Sequence, residues 1–139
     1  MASAQQEVIT KVPHFKPPVV ASFLGPNTNG AMITVNAASQ LISLPLTVTD
    51  AGKNNYPVDS YHFLYKKKGA IQDEETGKQH VAFTTLADFF KTTPLPQIWI
   101  DNLKDTFQPE EELLFFDILV RDTKGRKFFA PDLKIIIRP

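Results

Sequence analysis

The residues that could do chemistry are few in this chain, and their spacing argues against a reaction centre. Histidines occur at positions 14, 62 and 80 only, with no HxH or HxxxH pair among them. His62 and His80 facing each other across a hairpin would be the one metal arrangement available, and a solvated cross-strand pair is the commoner outcome. Asp59, Ser60 and His62 have the residue types of a hydrolytic triad. On a strand, though, Ser60 and His62 point to one side about 7 Å apart at Cα, with no strained elbow to present the hydroxyl. The carboxylates Asp73-Glu74-Glu75 and Glu110-Glu111-Glu112 are contiguous runs. Neighbours in a run diverge instead of converging on a cation or a scissile bond, so both runs read as solvated turn ends. Asp117, alone within the apolar residues 113–120, reads as a gatekeeper on a solvent face.

With no cysteine, a thiolate metal site, an iron–sulfur cluster and a disulfide framework are excluded. The six glycines are isolated, and none has the spacing that cradles a phosphate. The expectation is a non-enzymatic chain with no cofactor, no metal and no catalytic residue. Fifteen Lys and Arg balance fifteen Asp and Glu, which argues against nucleic acid, because phosphate binding needs an excess of cations on one face. The one basic run, Lys66-Lys67-Lys68, lies just before the acidic run 73–75 and is locally cancelled. No apolar run approaches the roughly 18 residues of a membrane span, so no membrane insertion is expected. Residues 1–7 carry neither a basic start nor an apolar core, so no signal peptide is expected, and the compartment stays open.

These side chains must be positioned by strands. Eleven prolines and eleven phenylalanines against six glycines suggest strands with stiff connections. Residues 1–18, with Pro13, Pro17 and Pro18, read as an extended N-terminal arm anchored only by Val8, Ile9, Val12 and Phe15. A sandwich domain over 19–139 follows. Strands are read at 19–24 and 31–35, and at 42–49, where Ile42, Leu44, Leu46 and Val48 alternate with smaller residues and Pro45 implies an edge or a bulge. Further strands follow at 58–67, 80–85, 112–122 and 127–138, the last broken at Pro131. In the strand over 112–122, Leu114, Phe116, Ile118 and Val120 share one face. Residues 94–105 read as a short helix with Thr93 as N-cap, Pro94 at N1, and Leu95, Ile98, Trp99 and Leu103 on one stripe. About seven strands at this spacing imply an all-β, immunoglobulin-like sandwich.

Two features suggest contacts with other molecules. Tyr61, Phe63 and Tyr65 share a strand face and would form a binding platform if exposed, or core if covered. The arm would add to a neighbour's sheet edge or lie in its groove. Partner-binding candidates are therefore Val8, Ile9, Val12, Phe15, Tyr61, Phe63 and Tyr65, and the partners other protein subunits, a second copy included. A phage or contractile-injection component is an alternative within this class. A carbohydrate- or small-ligand-binding sandwich, stacking its ligand on Trp99 and the Tyr61 row, is an alternative from another.

The end of the chain carries a resemblance. A helix, Leu103-Lys104-Asp105, Pro109-Glu110-Glu111, the run Leu114-Phe115-Phe116-Asp117-Ile118-Leu119-Val120-Arg121-Asp122, Gly125-Arg126 and Ala130-Pro131-Asp132-Leu133-Lys134-Ile135 together resemble the end of the C-terminal domains of the GldM/PorM family. That family forms the periplasmic part of the gliding-motility and type IX secretion motor. Glu110-Glu111 stands where the family has Gly-Asp. The resemblance implies an immunoglobulin-like, force-bearing interaction module in a multiprotein machine of the cell envelope, with no catalytic residues.

Overall fold

The computed structural model describes residues 15–139. The arm residues Val8, Ile9 and Val12 lie outside the described residues. Two sheets pack as a sandwich. The smaller pairs β1 (Val20–Leu24) with β3 (Leu46–Asp50), antiparallel. The larger runs in the order β2 (Ala31–Ile33), β8 (Leu133–Ile137), β6 (Glu112–Arg121), β4 (Val58–Gln72), β5 (Gln79–Phe90), with β7 (Lys127–Ala130) also on β6. β2 pairs β8 in parallel and the other pairs are antiparallel. Two short helices, α1 (Val35–Leu41) and α2 (Gln97–Leu103), close the open parts of the inner face.

The core lies between the layers. Leu24, Leu46 and Val48 of the small sheet meet Tyr61, Phe63, Phe115, Leu133 and Ile135 of the large one, all buried. Trp99 of α2 stands edge-on to Phe63 and Phe90, with ring centres 5.9 and 5.5 Å apart. Phe107 does the same to Tyr65 at 5.6 Å. The Ser22 hydroxyl, itself buried, donates to the Pro131 carbonyl at 2.6 Å and ties the small sheet to the break between β7 and β8.

Several sequence expectations are corrected here. The alternation over 42–49 is strand in its second half alone: Ile42 caps the C-terminus of α1, residues 43–45 form a turn, the strand begins only at Leu46, and Leu44 is exposed. Thr34 makes this possible as the N-cap of α1, its hydroxyl oxygen accepting from the Ala37 N–H. Short helix and short strand share apolar spacing over so few residues, and packing decides between them. The second helix begins at Gln97 with Pro96 at the N-cap, not at Thr93. The Thr93 hydroxyl oxygen accepts from the Leu46 N–H at 2.7 Å instead, and the Thr93–Pro94 bond is cis. Ile98 therefore faces solvent, and Ile100 takes the buried place expected for it.

The face shared by Leu114, Phe116, Ile118 and Val120 does not exist. Leu113 and Phe115 are buried, then Ile118 and Val120. Asp117 has φ of 47° and forms a bulge, so two positions of β6 pass one of β4 between the His62–Phe116 and Ser60–Leu119 pairs. One extra residue moves all later side chains to the opposite face. Asp59 is the matching extra residue on β4, and Pro131 interrupts the return strand at the same level.

Candidate functional site

Tyr61, Phe63 and Tyr65 are fully buried, so the proposed aromatic platform is core. The reason is the sandwich itself: these rings lie on the inner face beneath α2 and the small sheet. Burial pushes the Tyr61 hydroxyl up to about 12 while it donates to the Thr92 carbonyl at 2.8 Å. Burial, joined by a hydrogen bond to Glu111, raises Tyr65 as well. Phe15 is half-buried against its own domain, its ring 5.7 Å from Phe128 with the Arg126 guanidinium 4.5 Å above it. Without these rings, the carbohydrate-stacking alternative keeps only Trp99, which borders a recess of about 280 Å³ with Leu86 and Ile98.

The chemical candidates are dispersed. His62 is paired with Phe89 and His80 with Ile71, so nine ladder positions and opposite faces separate the two histidines. At about 3.3 Å per residue that is roughly 30 Å. His62 instead lies between Phe89 and Phe116, with ring centres 4.9 and 5.1 Å away. Asp59 is bound by the Arg121 guanidinium and lies 3.6 Å from Lys127 Nζ, which takes it out of any triad. Among the described residues, no three His, Asp or Glu side chains are grouped closely enough to hold a metal.

The run at 110–112 is not a solvated turn end. Glu111 is fully buried, its Oε1 accepting from the Tyr65 hydroxyl at 2.5 Å and from the Gln108 N–H at 2.8 Å, its Oε2 from the Lys68 N–H at 2.8 Å. Glu112 bridges Lys134 and Lys66 at 3.0 and 3.2 Å, and these cations hold its carboxyl below the usual range, Lys134 foremost. Glu110 pairs with Lys68 at the surface. Only the tertiary structure reveals the buried middle member, because a run of three identical residues carries no sign of which one turns inward. With every acceptor of Glu111 used by its own chain, the cluster is a structural clasp.

What the domain presents outward is the far face of the large sheet and its edge. Phe89, His62 and Phe116 form one cross-strand row there, and Ala87, Leu64 and Leu114 the next. Leu119 and Phe129 extend the face beyond the bulge, with Phe129 exposed. A shallow recess of about 480 Å³ opens there between Ser60, Phe89 and Lys91. The β4–β5 hairpin is longer than expected: β4 continues to Gln72 and β5 spans Gln79–Phe90, so the ribbon runs past the Lys66–Glu112 pair that ends the ladder with β6. The strand expected over 80–85 covers half of β5, and the signal for the longer strand is the absence of proline, glycine and lysine from 79–90. No helix among the described residues is long and apolar enough to cross a membrane. No protein-family model matches the chain, and no curated protein matches it.

Proposed function

We propose that this chain is a non-enzymatic interaction module that joins a multiprotein assembly through the open edge of β5 and the sheet face beside it. One observation carries the reading. Among the described residues β5 bonds only to β4, and its exposed side chains include Val81, Phe83, Leu86 and Phe89. Large apolar side chains along an unpaired strand mark a surface used by a partner, since main-chain hydrogen bonds supply affinity and alternate side chains supply specificity. The separation of His62 from His80 and the ion pairing of Asp59 with Arg121 and Lys127 favour this reading over a hydrolase. The setting implied by the resemblance over 94–139 is a cell-envelope machine of the secretion and motility type, where the module would bear load between subunits.

The test is the size of the complex in native extracts. A tagged full chain is expected to elute far above its own mass, and the Val81→Lys chain is expected to elute at a smaller size. Elution of the unaltered chain at 15.6 kDa would overturn the reading.

A further inference from the structure

We propose that β5 pairs with β5 of a second copy, antiparallel about a two-fold axis through Thr85, joining two six-stranded sheets into one. The proposal rests on the assembly reading above and names the partner.

Long edge strands in natural proteins are blunted by lysine, proline, a bulge or brevity. The opposite edge of this sheet obeys that rule, since β2 has three residues. The free margin of β4 beyond β6 obeys it too, with Lys67 and Lys68 on it and the Lys68 N–H capped by Glu111. β5 has none of these devices. Its register with β4 is unbroken over twelve pairs from Gln79 to Phe90, and within that span the only formally charged residue is Asp88. Val81 is 62% exposed, Leu86 45%, Phe89 44% and Phe83 38%.

The direction of the free hydrogen-bonding groups follows from the ladder. Alternate residues of an antiparallel strand bond to the same neighbour. At the hairpin end the Asp73 N–H donates to the Lys78 carbonyl, so even-numbered residues of β5 bond to β4 and odd-numbered ones point outward. Two other bonds agree: Lys68, opposite Phe83, sends its N–H away from β5 to Glu111, and the outward Phe89 N–H is held by Asp88 Oδ1 at 2.7 Å. The outward set is Gln79, Val81, Phe83, Thr85, Ala87 and Phe89.

A two-fold axis at Thr85 uses this set. It opposes Thr85 to its own copy, Phe83 to Ala87, and Val81 to Phe89, all outward residues; the first two pairs can exchange two hydrogen bonds, and the third adds the bond from the Val81 N–H to the Phe89 carbonyl while the Phe89 N–H stays with Asp88. The exposed apolar side chains of the far face then meet each other, and aromatic with β-branched pairs are among the favourable cross-strand combinations. Asp88 faces Ala82, so no like charges meet. Lys78 and Lys91 flank the strand and fall outside the paired stretch, limiting further slippage.

The experiment uses the purified full chain with no other protein. Light scattering at about 100 μM, a hundredfold above a micromolar Kd, is expected to give twice 15.6 kDa. Thr85→Pro removes only an outward N–H and leaves the bonds to β4 intact. It is expected to halve the mass with unchanged circular dichroism. Should that variant fail to fold, Val81→Lys, at an exposed position, is expected to give the same halving. Because the chain has no cysteine, Thr85→Cys places a single thiol on the axis, where opposed Cα atoms about 5.5 Å apart suit a disulfide. Oxidation is expected to lock the dimer covalently. A monomeric unaltered chain, a dimer that survives both Thr85→Pro and Val81→Lys, or a Thr85→Cys dimer that does not cross-link overturns the proposal. A monomer in isolation together with a large complex in native extract would sink self-pairing alone and leave the assembly reading standing.

Discussion

The Tyr65 hydroxyl donates to Glu111 Oε1 at 2.5 Å, and the other oxygen of that buried carboxylate accepts the Lys68 N–H at 2.8 Å. One side chain thus clasps the middle of β4 to the turn that launches β6. Glu111→Ala would leave the buried Tyr65 hydroxyl and two part-buried backbone N–H groups without their acceptor, and we expect a cost of ~3 kcal/mol. Tyr65→Phe removes one donor and should cost ~1–2 kcal/mol. In the double variant the losses should fall well short of additive, because both act on one network. Urea unfolding of the four proteins measures this, and a Glu111→Ala cost under ~1 kcal/mol would show that the clasp does not hold the strands.

Stability should fall in alkali. Both core tyrosines have hydroxyls raised above their ordinary value of 10.0, Tyr61 to about 12. For a raised group, the stabilisation is complete below the unfolded value and is lost as pH rises through the folded one. The urea midpoint should therefore hold steady up to about pH 10 and drop steeply beyond it. Tyr61→Phe should cost ~1 kcal/mol at neutral pH through the lost bond to the Thr92 carbonyl, and its alkaline decline should be shallower. An unaltered alkaline slope in that variant would assign the effect to other groups.

Acid should act through Glu112 in the opposite sense. Its carboxyl is depressed below 4.5 by Lys134 and then Lys66, so its stabilisation is present above that value and lost as pH falls through the folded one. Glu112→Gln should reduce stability by less than ~1 kcal/mol at neutral pH, the pairs being partly solvated, and should flatten the acid limb. Thermal melts through the acid range decide it.

Among the described residues, three non-glycine residues sit in the left-handed region, Lys53 at φ 64°, Glu110 at φ 77° and Asp117 at φ 47°. Glu110→Gly should raise stability by ~0.5–1 kcal/mol, since glycine adopts that angle without cost and the surface pair with Lys68 is worth little. Deleting Asp117 is a sharper test. It removes the extra residue, so Ile118 follows Phe116 in strict alternation, Ile118 and Val120 keep their buried face, and the chain should still fold. A deletion variant that fails to fold would contradict the bulge.

Much of the architecture was legible in the residues. Apolar stretches at 19–24, 58–67 and 127–138 located strands, and the turn at 122–125 located a hairpin. Other features were decided only in three dimensions. Residues 113–120 are apolar at every position but one, so either face could be buried, and the bulge at Asp117 reversed the choice halfway along. Ile42 and Leu46 fit a strand and a helix end equally well until α1 packed on the core. Glu111 could be distinguished from Glu110 and Glu112 only by the buried Tyr65 hydroxyl that waits for it. The aromatic row at 61–65 was visible as a row, but whether it faces solvent depends on what lies above it, and α2 and the small sheet come from distant segments. Periodicity along a chain states which residues share a face. Which face is covered, and which edge is left open, follows from contacts between residues far apart in sequence, and on that the exposure of β5 depends.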